Sequence, residues 1–283
     1  MTAVVLDGIV VGLAFGLLGV GMTLVYGLGG VINLAYGQIV IVAAIAASLM
    51  IGGGHSQLLA SVVGVLAAVG VALLLDLTLL RPVYRQHGVE RNLMGLLLSL
   101  GAAFVIAGLL SWRYPTEALF VSITGDPISI LGVPMALGSI WASVISLAVG
   151  AALLLFLGLT TFGRGVRSVI QDETGSRLVG INPSFVRSVI FALSGALAGI
   201  VAVTQSMSGP LGVNAGFELT TFALIVTVVG GLGSVAGAFL AGVLLGIVNA
   251  LSAHYIGQYY STMILLGAAA LTILVRPKGL MGR

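Results

Sequence analysis

The 283-residue chain is 59% apolar, only 7% of it is Asp, Glu, Lys or Arg, and its mean hydropathy is +1.22. A soluble domain carries roughly 25% charged residues, so a water-facing shell cannot be built here, and an integral membrane protein with room for about eight to ten spans remains. Zero cysteines exclude disulfides, cysteine-ligated zinc, iron–sulfur clusters and thiol catalysis. The single lysine, Lys278, stands in Pro-Lys-Gly and not in the Gly-Lys-Ser/Thr of a P-loop, so ATP is not hydrolysed by that route.

In chain order, apolar runs fall near 7–28, 37–51, 58–80, 93–111, 139–160, 187–207, 219–232, 235–254 and 259–275. They predict an all-α polytopic membrane protein of about eight to nine transmembrane helices, some broken by Gly-rich stretches, with residues 1–283 as one domain. No base precedes the first run, which is too long for the core of a cleavable signal, so no signal peptide is expected. Arg81, Arg85 and Arg91 follow span three, Arg164, Arg167, Arg177 and Arg187 follow span five, and Arg276, Lys278 and Arg283 form the tail. Nine spans put all three groups on one side, which the positive-inside rule makes the cytoplasm. The N-terminus is then outside and the C-terminus cytoplasmic. Glu117, Asp126 and Glu218 fall on the outer side against one Arg113, and Trp112, Tyr114, Trp141, Tyr255, Tyr259 and Tyr260 fall at outer boundaries. The net charge of +3 therefore expresses topology, and no basic stripe points to nucleic acid.

Small residues four apart (Gly8, Gly12 and Gly16; Gly195 and Gly199; Gly233 and Gly237; Gly242 and Gly246) predict close helix packing. Two stretches break the apolar pattern: Gly27 to Gln38, with amides at Asn33 and Gln38 beside Tyr36, and Val229 to Gly237, with Gly231, Gly233 and Ser234. Each reads either as unpaired backbone lining a solute path or as a tight turn at the cytoplasmic face. Asp76, the one carboxylate inside a span, reads either as an ion relay or as an interfacial acid satisfied by an arginine. His55, His87 and His254 lie in three separate loops, so neither a metal site nor a Ser/His/Asp hydrolase is expected.

The longest cytoplasmic loop, about 161–187, has Val166, Val169 and Ile170 at helical spacing, with Arg167, Asp172 and Glu173 off that stripe. One amphipathic helix over about 164–175, ending near Gly175, is expected, and Asn182-Pro183 then caps and starts span six. The loop reads either as a connector on the headgroups or as a docking element for an external motor.

The motifs resemble the permease subunits of branched-chain amino acid ABC importers, specifically the shorter of the two partner permeases. They run in order over nearly the whole chain: Gly19 to Gly27 with Ile32-Asn33-Leu-Ala-Tyr36-Gly37; Asp76 and Arg81-Pro82-Val-Tyr-Arg85 with Leu98-Ser99-Leu-Gly101; and Gly163-Arg164, Gln171-Asp172 and Leu178-Val-Gly180-Ile181-Asn182. Phe191 to Gly199, Gly230 to Phe239 and the terminal Arg276-Pro-Lys-Gly279-Leu-Met-Gly282 complete the series. The chain departs at Tyr36, where the family usually has His, at Asp76, where it usually has Glu, and at Glu173-Thr-Gly-Ser, where a Pro- and Ala-rich stretch is common.

The resemblance implies a permease half that moves Leu, Ile, Val or similar small polar solutes, with urea or short amides as an alternative within the family. It implies a second homologous permease, two cytoplasmic ATPases and an extracytoplasmic substrate-binding protein as partners. No cofactor is expected on this chain, ATP and Mg being held by the ATPases. Arg164, Arg167, Gln171, Asp172, Gly180 and Asn182 are the expected coupling residues. Asn33, Tyr36, Gln38, Gly231, Gly233 and Ser234 are expected along the path. A passive channel or ion-coupled carrier, and a membrane scaffold, are the rival classes.

Overall fold

The computed structural model describes the chain except Arg85, His87, Ser122, Thr124, Gly125, Leu131, Pro277, Lys278 and Arg283. Four of the bases and histidines used above (Arg85, His87, Lys278, Arg283) therefore lie outside the described residues. Among those described, eight helices are long and apolar enough to cross a membrane, and the shorter Tyr36–Gly52 makes a ninth apolar helix. The elements in order are α1 (Thr2–Gly29), α2 (Tyr36–Gly52), α3 (Gln57–Leu75), a π-turn (Asp76–Leu80), α4 (Arg81–Val83) and α5 (Gly88–Arg113). After three short strands, β1 (Ala118–Leu119), β2 (Ile128–Ile130) and β3 (Val133–Met135), come α6 (Leu137–Leu159), α7 (Thr161–Gln171), α8 (Glu173–Leu178) and α9 (Pro183–Ser208). The strand β4 (Leu211–Gly212) precedes α10 (Gly216–Gly230), α11 (Val235–Tyr255) and α12 (Gln258–Val275). All nine expected spans are helices.

Helix α1 is apolar all round, which suits a helix surrounded by protein. Its stripe Gly8, Gly12 and Gly16 lies on Gly242 and Gly246 of α11. A Cβ on Gly246 would stand 2.1 Å from the Gly12 Cα, and one on Gly242 would stand 2.3 Å from the Gly16 Cα. The two backbones touch, which only glycine permits. The second stripe does the same for α9 and α3, a Cβ on Gly199 falling 2.6 Å from the Val65 Cα. Helices α1, α2, α9 and α10 thus make the interior, while α5 and α12 show Leu97, Phe104, Leu109, Leu271 and Leu274 outward, as a lipid-facing layer does.

Contacts sort the loops into two ends. At one, the C-terminus of α1 meets Tyr84 and Asn92, Ile170 lies 3.7 Å from the Cβ position of Gly27, and Glu173 pairs with Arg187. Among the described residues Arg91, Arg177 and Arg187 lie at this basic end. At the other, Ser48 donates to Glu117 at 3.1 Å, and β1 pairs antiparallel with β4. Trp112, Trp141, Tyr255, Tyr259 and Tyr260 are exposed on helices ending there.

Helix α3 widens into a π-turn before α4. Pro82 has no N–H to give Thr78 and its ring crowds that carbonyl, so the turn opens and the Arg81 N–H bonds to the Asp76 carbonyl five residues back.

Candidate functional site

The two Gly-rich breaks have different structures. The second is a tight turn at the basic end. Gly231 and Gly233 take φ of 106° and 90°, and the Ser234 side chain accepts the Gly237 N–H to cap α11. The chain's tail closes over it, Leu280 N–H donating to the Val229 carbonyl at 2.9 Å and Met281 N–H to the Gly230 carbonyl at 3.2 Å. The turn meets the first break at its start, the Gly233 Cα lying 3.6 Å from the Cβ position of Gly27. The turn alternative describes this stretch.

The first break climbs into the molecule. Helix α1 ends at Gly30, whose φ of 64° turns the chain back, and residues 30–35 run without helix until α2 begins. Val31 packs at Gly95 and the Leu34 N–H donates to Ser99 Oγ at 3.1 Å. Ser99 lies roughly 16 Å along α5 from its start at Gly88, about half of a 30 Å hydrocarbon layer. Tyr36 confirms the depth on another helix: its hydroxyl donates to the Ser194 carbonyl at 3.4 Å, and Ser194 is as far along α9 from Pro183. The segment is thus a non-helical strap at mid-membrane, closed by a turn at Leu34–Ala35 in which the Tyr36 N–H donates to the Asn33 carbonyl at 3.2 Å, and tolerated because protein surrounds it.

Side chains absorb its backbone polarity. Ser99 Oγ donates to the Ile32 carbonyl at 3.3 Å, Asn33 Oδ1 accepts the Ala35 N–H at 3.1 Å, and Thr220 Oγ1 accepts the Gly37 N–H at 3.0 Å. Close approach fixes the start of α2: a Cβ on Gly37 would fall 1.9 Å from the Gly216 carbonyl oxygen, and one on Gly216 would fall 2.5 Å from the Gln38 amide. Asn33, Tyr36 and Gln38 are at most 2% exposed. Two polar atoms remain over: among the described residues Asn33 Nδ2, a donor, and Gln38 Oε1, an acceptor, are buried without a partner. Unmatched amides at this depth cost about 1–3 kcal/mol each. Between α1 and α10, Thr23 Oγ1 donates to Thr227 Oγ1 at 3.3 Å, a further buried polar pair.

The loop at the basic end is not the single helix expected over 164–175. Helix α7 starts earlier, capped by Thr160 on the Gly163 N–H, and stops at Gln171. Asp172 then takes extended φ of −153° and accepts the Thr174 N–H at 2.9 Å, opening the separate α8. The physical reason is that an aspartate at a helix start gains more from capping free N–H groups than from continuing the helix. Gly163, Val166 and Val169 make the buried stripe, and Ile170 lies largely outside it. Arg167 faces back, donating to the Leu157 carbonyl at 2.6 Å and so tying α7 to the end of α6. Arg164, Gln171 and Asp172 are exposed. Gly180, at φ 84°, turns the chain towards Asn182, whose Oδ1 accepts the Ser184 and Phe185 N–H groups at 3.1 and 3.3 Å above Pro183, as expected. The sequence reading quoted Leu178 and Val179 in the motif but did not place them among the expected coupling residues; they are 85% and 73% exposed at the tip, and adjacent apolar residues beside Gly180 were the available signal.

It also counted Arg187 only as a topological charge. Arg187 is 5% exposed and its Nη2 donates to Glu173, which also accepts from Arg177 at 2.9 Å. Burial alone would raise the Glu173 pKa, but the Arg187 charge and the hydrogen bonds from Arg187 and Arg177 outweigh it and hold the carboxyl below its ordinary value. Asp76, 1% exposed, accepts from Ser188 Oγ at 2.7 Å, with Arg81 and Arg187 supplying opposing charge. The Ser188 hydroxyl is its hydrogen-bond partner, and among the described residues no arginine forms an ion pair with it.

Comparison with known proteins follows the same lines. A family described as branched-chain amino acid transport system, permease component, matches residues 4–274. The high-affinity branched-chain amino acid transport system permease protein BraD of Pseudomonas aeruginosa is 29% identical over 289 residues, covering 98% of this chain and 94% of BraD. LivH of Escherichia coli, which carries the same description, is 26% identical over 291 residues with coverage of 98% and 94%. PsaBC from Streptococcus pneumoniae, solved in complex with Fab, shares the fold at TM-score 0.53 and 15% identity, over 98% of this chain and 92% of that one. With a profile match over nearly its full length, the chain belongs to the family of branched-chain amino acid transport permeases, integral membrane subunits that work with other subunits of an ABC transporter.

Proposed function

We propose that the chain is one permease half of an importer that moves leucine, isoleucine, valine or a similar small polar solute inward. Its partners are a second homologous permease, two cytoplasmic ATPases that hold ATP and Mg, and an extracytoplasmic substrate-binding protein. The basic end faces the cytoplasm and the N-terminus faces out. One observation carries this reading: an exposed, doubly capped helix pair at the arginine-bearing end abuts the mouth of a non-helical segment that rises to mid-membrane. Force applied to α7 and α8 thus reaches the only deep irregular backbone among the described residues.

In the mechanism, ATP binding draws the ATPases together and moves α7–α8 through Arg164, Gln171, Asp172 and the Leu178–Val179 tip. Arg167, Gly180 and Asn182 keep those helices rigid and in place. The solute passes along Asn33, Tyr36 and Gln38, where a carboxylate can accept from Asn33 Nδ2 and an ammonium can donate to Gln38 Oε1. These roles are steric and electrostatic, and no bond in the solute is made or broken.

The test is reconstitution in proteoliposomes with all partners. ATP-dependent uptake of labelled leucine that requires loaded binding protein is the expected result. Uptake of urea or acetamide in preference to leucine would move the substrate to the amide branch of the resemblance. Uptake by the chain alone, without ATP, would replace the reading with a passive or ion-coupled carrier.

A further inference from the structure

Between the docking helices and the deep segment stands one aromatic ring. Tyr84 follows α4, just past the π-turn forced by Pro82, and three contacts converge on it. The Arg187 guanidinium carbon lies 4.5 Å from the ring centroid and that of Arg91 lies 5.1 Å away. On another side, Cε1, Oη and Cζ of Tyr84 stand 2.9, 3.0 and 3.3 Å from where a Cβ on Gly29 would be, so the ring rests on the bare backbone of Gly29. The hydroxyl is buried and has no hydrogen-bond partner among the described residues. Among the described residues the contacts of Tyr84 are made by its ring.

The contacts form an unbroken chain. Glu173 opens α8 and binds Arg187 at the base of α9, Arg187 lies over Tyr84, and Tyr84 abuts Gly29. One residue later Gly30 turns the backbone into the segment that carries Asn33. Each junction resists compression: a charge-assisted ion pair, a cation over a π face, and a ring edge against backbone with no side chain between. Two like charges, Arg187 and Arg91, share the ring; Glu173 on the α8 side forms an ion pair with Arg187, while the Asp76 charge attracts it from the π-turn side. Moving α8 therefore changes where Arg187 sits over Tyr84. The π-turn gives the ring's own segment a place to yield, as such turns do at functional hinges.

We infer that Tyr84 is a positioning residue for transport, passing displacement of α8 through Arg187 to Gly29 and the mouth of the mid-membrane segment. The inference rests on the proposed function, since it needs a motor acting on α7–α8.

The experiment uses the full complex in proteoliposomes and reads solute moved per ATP hydrolysed, beside assembly and ATP hydrolysis without binding protein. Tyr84→Ala removes the ring. Assembly and hydrolysis persist, while solute moved per ATP falls about tenfold. Tyr84→Phe keeps the ring and retains the wild-type ratio, an outcome a hydrogen-bonding role would not give. Glu173→Gln, at a partly exposed position that leaves no cavity, lowers the ratio similarly, and adding Tyr84→Ala to it causes no further loss because both cut one chain of contacts. If Tyr84→Ala does not assemble, Glu173→Gln decides the matter. A wild-type ratio in either Tyr84→Ala or Glu173→Gln, or losses that multiply in the double variant, overturns the relay. A wild-type complex without ATP-driven uptake overturns the permease reading as well, and is recognised before any variant is made.

Discussion

Replacing Gly37 by alanine tests the seating of the deep segment. The added methyl would lie 1.9 Å from the Gly216 carbonyl oxygen, 2.5 Å from Thr220 Oγ1 and 2.7 Å from the Thr220 nitrogen. An ordinary carbon–oxygen contact is about 3.3 Å, and two of the three obstacles are backbone. Helices α2 and α10 must therefore part by more than about 1 Å, which takes Thr220 Oγ1 out of reach of the Gly37 N–H. Overpacking costs about 1–3 kcal/mol and the lost hydrogen bond about 1 kcal/mol. The sum, about 2–4 kcal/mol, is a large part of a stability of about 5–15 kcal/mol. In mild detergent the purified protein should unfold about 3–7 °C lower than wild type. Thr220→Val adds no clash but removes the bond from the Gly37 N–H together with those that Thr220 Oγ1 makes to the Leu34 and Gly216 carbonyls, and should cost about 1–2 kcal/mol. Gly101→Ala, with nothing within 4 Å of the added methyl, should leave the melting temperature unchanged or slightly raised. A Gly37→Ala protein as stable as wild type would mean that α2 does not begin against α10 at mid-depth.

Gly246→Ala, whose methyl would meet the Gly12 Cα at 2.1 Å, should destabilise the α1–α11 pair by about 1–3 kcal/mol in the same assay. Asp172→Asn keeps the cap on Thr174 but removes the charge, so thermal stability should hold while ATPase stimulation by loaded binding protein falls; unchanged stimulation would take the charge out of the docking contact. The folded Glu173 carboxyl titrates below its ordinary value of 4.5, so its ion pair contributes fully above that value and is lost as pH falls through the lower folded value. Melting curves between about pH 6 and 3 should accordingly show a smaller acid loss in Glu173→Gln than in wild type.

Spans were legible because lipid demands long apolar runs and the arginines between them leave one consistent sidedness. Gly8, Gly12, Gly16, Gly242 and Gly246 announced tight packing, but spacing alone cannot say that the two stripes face each other. The break at Asn33 was visible in its composition. Its depth was not, because Ser99 and Thr220, which receive its backbone, stand 65 and 183 residues from their partners. Gly231 and Gly233 looked equivalent to it from composition, yet they close an ordinary turn because the tail supplies hydrogen bonds that a local reading cannot see. In the docking loop the stripe through Val166 and Val169 was readable, while the interruption at Asp172 depended on capping. The pairing of Arg187 with Glu173 across 14 residues turned a presumed surface charge into a buried one.

The central claim is that α7–α8 meets the ATPases at the cytoplasmic face. The chain has no cysteine, so Gln171→Cys gives a single thiol for disulfide cross-linking in membrane vesicles that contain the assembled complex. The account predicts a cross-link to an ATPase carrying a cysteine scan of its upper surface, and labelling of the thiol by an impermeant maleimide only in inside-out vesicles. Labelling in right-side-out vesicles, or cross-linking to the substrate-binding protein instead, would contradict it.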